Sequence, residues 1–154
     1  MNKTPEPTMT ERLLARSTRI LPAVAMAVLI AGCGTAGMAP VGTVSLSGAN
    51  EVPAVATTAT GSGRIRVAAD HTVSGSISTT GIDGKAAHIH LAPKGSNGPV
   101  IVPLTKVADG TWTVPEGAKL TDTQYASYVA GDLYVNVHSA TNPAGEIRGQ
   151  LTAN

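Results

Sequence analysis

From residue 43 onward the chain consists of short runs of β-branched and aliphatic residues, each cut off by Gly, Pro, Asn or Asp. Runs of that length and spacing suit the strands of an all-β sandwich or barrel. Strands are expected near Thr43–Ser47, Gly61–Ala68, Thr72–Thr79, Ala86–Leu91, Val100–Leu104, Thr111–Val114, Leu133–His138 and Glu146–Leu151, with Asp70-His71 turning between the second and third. One helix interrupts them near 122–130. Thr121-Asp122-Thr123-Gln124 reads as a capping box, Gly131 as the stop, and Tyr125, Tyr128 and Val129 as one helical face. Phe is absent and aromatics are 3% of the chain, so the core must come from Val, Ile, Leu and Ala. Burying each large aliphatic side chain gains about 1.5–3 kcal/mol, which suffices for a single domain of about 110 residues.

Period two assigns faces. In Ala87-His88-Ile89-His90-Leu91 the apolar set is Ala87, Ile89 and Leu91, so His88 and His90 share the opposite side. In Leu133–His138, Leu133, Val135 and Val137 form the apolar set, opposite Tyr134, Asn136 and His138. Three of the four histidines therefore stand on the non-core faces of two strands. A His-x-His pair on a strand places two imidazoles about 6.5–7 Å apart along the backbone. Rotation brings their nitrogens within the ~2.0–2.1 Å that a metal requires. A third imidazole from a neighbouring strand completes a trigonal or T-shaped nitrogen site, which suits copper, or zinc as the alternative, and is poor for calcium or magnesium. His88, His90 and His138 are the candidate ligands. Glu51 and Glu146 are candidates for a fourth ligand or for holding a ligating imidazole in place, although Glu146 is more simply a surface pair with Arg148. His71 reads as an exposed turn residue and Trp112 as core or rim packing. The chain shows no nucleophile elbow, phosphate-cradling glycine loop or HExxH, so hydrolysis and phosphoryl transfer are not expected.

The first 42 residues are of another kind. Arg12, Arg16 and Arg19 precede an apolar run, Ile20 to Ala31, broken only by Pro22. The run is shorter than the ~20 residues that span a bilayer and reads as the core of a signal peptide, residues 1–32. Met9 offers a second start. Ile30-Ala31-Gly32-Cys33 resembles the lipobox of bacterial lipoproteins, which implies diacylglycerol on Cys33, the only cysteine, and an anchor in the membrane. Gly34 in place of Asp implies, by the same likeness, the outer membrane. Residues 33–42 form a flexible tether, and residues 43–154 form the domain. A net charge of +1, from 11 Lys+Arg against 10 Asp+Glu, argues against nucleic acid as a partner. No protein partner is indicated.

Leu46–Pro53 (LSGANEVP), Ala87–His90 (AHIH), Asn97–Val100 (NGPV), Leu133–His138 (LYVNVH) and Pro143–Leu151 (PAGEIRGQL) resemble, in order, the blocks of the CHRD domain, a module first recognised in chordin. The likeness runs from about residue 44 to 151. It implies a β-sandwich of Greek-key antiparallel type, superoxide-dismutase-like or immunoglobulin-like, and brings no settled activity. His88, His90 and His138 are also similar to the copper side of Cu/Zn superoxide dismutase, which implies copper ligation by those three. The chain departs from that enzyme in having no His between 90 and 138 for a bridging ligand and no zinc-loop cluster; its disulfide is also ruled out. The expectation is thus a metal-binding envelope protein and not an enzyme. An interaction module with merely polar histidines ranks second, and a copper redox enzyme last.

Overall fold

The computed structural model describes Met1 and residues 42–153. The segments read as signal peptide and, apart from Gly42, as tether lie outside the described residues, as does Cys33.

Among the described residues nine strands form one antiparallel sheet: β1 (Gly42–Ser47), β2 (Thr60–Val67), β3 (Val73–Thr80), β4 (Gly84–Leu91), β5 (Val100–Pro103), β6 (Thr105–Ala108), β7 (Thr111–Thr113), β8 (Leu133–Ser139) and β9 (Ile147–Leu151). Their order in space is β5-β4-β8-β9-β1-β2-β3-β7-β6. The sheet curls nearly shut, so that Lys106 Nζ on the edge strand β6 donates to the Gly84 carbonyl of β4 at 3.3 Å. The apolar faces turn inward as period two requires. Ile77, Ile89, Val135, Val137 and Ile147 are each 0% exposed, and Trp112 joins them at 2%.

The one α-helix among the described residues, α1 (Asp122–Ala130), has the capping box its sequence announces. Thr121 Oγ1 accepts from Gln124 N–H, and Gln124 Oε1 accepts from Thr121 N–H. Gly131 closes the helix in the left-handed region at φ 83°, which glycine adopts without steric cost. Tyr128 is buried and Tyr125 packs against the core. Val129 differs from expectation and stands exposed at 59%.

The reading of eight strands missed β6. All four of its residues are exposed, so no alternation marks it, and it pairs only with β7. His71 is also more than an exposed turn residue. It lies in the left-handed region at φ 70°, where its ring stacks on Tyr125 with centroids 4.2 Å apart.

Candidate metal centre

Strands β4 and β8 are paired over most of their length, with His88 opposite Asn136, His90 opposite Tyr134 and Ala86 opposite His138. All these residues except the small Ala86 carry polar or aromatic groups on one face, the side away from the aliphatic core. The pairing brings together His88 and His138, which are fifty residues apart, at a ring centroid distance of 4.9 Å. One potential ligand atom from each of His88, His90 and His138 lies within 4.8 Å of the others. Among the described residues these three form a group that can hold a metal ion, and His71 is not in it.

Hydrogen bonds set the ring tautomers. His138 Nδ1 is 3.0 Å from the Pro143 carbonyl and His90 Nδ1 is 2.9 Å from the Gly98 carbonyl. A carbonyl only accepts, so both rings carry their proton on Nδ1 and present a bare Nε2. His90 Nε2 is buried and has no hydrogen-bond partner among the described residues. His138 Nε2 faces His88 Nδ1 at 3.0 Å, where it accepts the His88 proton. A metal ion would take the place of that proton, with His88 moving its hydrogen to Nε2. Burial lowers the pKa of His88, and the neighbouring imidazoles lower it further. Burial also lowers that of His138, against the opposing pull of the Pro143 carbonyl. Both shifts favour the neutral rings that metal binding requires.

An ion bonded at about 2.0–2.1 Å joins nitrogens at most about 4.2 Å apart. The three ligand atoms, within 4.8 Å of one another, must therefore draw in by up to roughly half an ångström for a T-shaped set, and by up to about 1.2 Å for a trigonal one, whose nitrogens stand about 3.5 Å apart.

The non-core face of β8 is not a solvated surface. Tyr134 and Asn136 are each 2% exposed, and Arg148 on β9 is 1% exposed. Two loops cover them. Asn97 Nδ2 donates to the Val52 carbonyl at 2.6 Å, and Asn97 Oδ1 accepts from Arg148 at 3.2 Å. Gln150 donates to the Ala92 carbonyl at 3.0 Å. Beneath this cover the Arg148 guanidinium lies 3.4 Å from the centroid of Tyr134. Tyr134 in turn stacks on His90 at 4.8 Å with the rings 8° from parallel. A cavity of about 340 Å³ opens beside this layer, lined by Glu51, Lys94, Arg148 and Gln150 among others.

The expected surface pair of Glu146 with Arg148 does not form. The Glu146 carboxylate accepts instead from Ser139 and, at 2.8 Å, from Thr57, and those bonds hold its pKa down. Arg148 makes no ion pair among the described residues and takes uncharged acceptors, Asn97, the Pro93 carbonyl and Gln150. Glu51 is buried against Asn136, where desolvation raises its pKa and the Arg148 charge opposes the rise. Neither glutamate joins the histidine group. The positions that hold the imidazoles are taken by the carbonyls of Gly98 and Pro143. Sequence reasoning missed those two, and also the stack of Tyr134 and Arg148. Period two does place Tyr134 on the face of His138, and that was the one available signal.

No curated protein and no solved structure matches the chain at a significant level. A family model described as the CHRD domain matches residues 42–151, a span that holds the whole sheet and all three converging histidines. The chain belongs to the CHRD-domain family.

Proposed function

We propose that this chain is a lipid-anchored copper-binding protein of the bacterial cell envelope, with zinc as the alternative metal. His88, His90 and His138 bind one ion for storage, delivery or scavenging, and the chain is a binding protein, not an enzyme. The observation that carries this reading is His90 Nε2, a buried nitrogen with no partner among the described residues, set beside the paired nitrogens of His88 and His138. A buried polar atom left unpaired costs roughly 1–3 kcal/mol, and a bound ion removes that cost. Support for the anchor comes from the lipobox-like residues Ile30–Cys33, which imply a lipid-anchored domain of the outer membrane or periplasm; no helix among the described residues is long and apolar enough to cross a membrane.

Thermal melting of the purified chain tests the metal. Copper at 100 times its dissociation constant should add about 2.7 kcal/mol of stability, a rise of about 10 °C for a domain of this size. Flat melting curves with both copper and zinc would overturn the reading. Cys33→Ser tests the anchor by moving the chain from the membrane fraction to the soluble one; unchanged fractionation would discard the lipid.

A further inference from the structure

The copper reading leaves open which oxidation state the site prefers. We infer that the site selects monovalent copper, because it offers three neutral donors and sits behind a buried arginine that has no ion pair among the described residues. This inference rests on the reading of the triad as a copper site.

Three features converge on it. No carboxylate contributes an atom to the histidine group, so nothing in the donor set offsets the ion's charge. The cost of holding charge in a partly buried site rises steeply with that charge, and the divalent ion suffers more. Three imidazoles also satisfy a monovalent d¹⁰ ion, which accepts two or three ligands. Divalent copper favours a tetragonal set and zinc a fourth ligand, and neither Glu51 nor Glu146 supplies one here.

The third feature is Arg148. Its guanidinium lies 3.4 Å from the Tyr134 ring centre, and that ring lies 4.8 Å from His90. The cation is therefore at most about 8 Å from the centre of the His90 ring and about 11 Å from an ion bonded to its Nε2. At an effective dielectric of about 20–40, a unit charge at that distance shifts the balance between the two oxidation states about four- to fifteenfold toward the lower one. Glu51 is the carboxyl whose charge is felt at Arg148, yet no ion pair joins the two among the described residues.

The test is a pair of titrations on the full chain: Cu(I) under anaerobic conditions against a competing chelator, and Cu(II) followed by its paramagnetic resonance signal. The expected result is binding of Cu(I) at least tenfold tighter than Cu(II). For a one-electron couple this equals a potential about 59 mV or more above that of the free ion. Arg148→Gln should reduce this preference about four- to fifteenfold, while Arg148→Lys, which keeps the charge, should retain most of it. Tighter binding of Cu(II) by the native chain overturns the inference and leaves the copper reading intact. A preference unchanged in Arg148→Gln removes the arginine from it. Should that variant fail to fold, the native ratio and Arg148→Lys still decide. Binding of neither ion defeats the copper reading itself.

Discussion

His138→Ala should reduce copper uptake from about one equivalent per chain to none at micromolar concentration. The reason is topological. His88 and His90 come from one strand, and His138 is the only member of the group supplied by another. Its loss leaves two donors on β4 and takes the hydrogen-bond acceptor from His88 Nδ1. Apparent binding energies of about 10–16 kcal/mol for four-ligand zinc sites suggest roughly 3–4 kcal/mol per ligand, so affinity should fall about 10²–10³-fold. Without metal the variant should melt about 8 °C below the native chain, because the lost partners are one imidazole and the Pro143 carbonyl, worth about 1 kcal/mol each. Equilibrium dialysis with metal analysis reads the uptake. His71→Ala is the control, since His71 stacks on Tyr125 and stands outside the group. Unchanged uptake by His138→Ala would remove that residue from the site.

A second large effect should come from a residue with no side chain. Gly98→Val should lower the melting temperature by about 10–20 °C and weaken copper binding about 10–100-fold. A Cβ at position 98 would collide with the Leu91 carbonyl oxygen and come 2.9 Å from the Ala92 Cβ. Both obstacles are tied to backbone, so the loop must move instead of a side chain swinging aside. Overpacking of this kind, together with the backbone hydrogen bond it disturbs, costs about 2–4 kcal/mol, at several degrees per kcal/mol for a domain near this size. The displaced loop also carries the carbonyl that fixes His90 and the N–H that donates to Tyr134 Oη at 3.3 Å. Losing such a support beneath a ligating histidine typically costs 10–100-fold in affinity. Gly95→Ala separates strain from collision. Gly95 is left-handed at φ 84° with nothing near its missing Cβ, so that change should cost about 1–2 kcal/mol and leave copper affinity alone. Equal effects of the two substitutions would refute this account of Gly98.

The parts of the fold visible in the sequence were those where one residue's neighbours along the chain decide its place. Alternation put Ile89, Val135 and Val137 in the core, where none is exposed, and the capping box marked the start of the helix. The same alternation put three histidines on one side of two strands but was silent on what lies over them. That cover comes from contacts across long sequence separations, such as Asn97 with Val52 and Arg148 with Pro93. No local pattern records these, and so Arg148 reads as a surface residue while being 1% exposed. The carbonyls of Gly98 and Pro143 were hidden for a different reason. Every residue carries a carbonyl, and only the folded backbone decides which ones face an imidazole. Strand β6 escaped because an edge strand exposed along its whole length has no buried side to announce.

The pairing of β4 with β8 also dictates an order of events. Forty-eight residues separate His90 from His138, and the ladder between their strands is what brings the rings to one place. An extended chain has no such meeting point, so an ion on these three rings cannot act as the template on which this domain folds. The polypeptide must finish folding first and be loaded afterwards. An ion held by rings on a finished ladder could then be given up and replaced many times while the sheet keeps its shape.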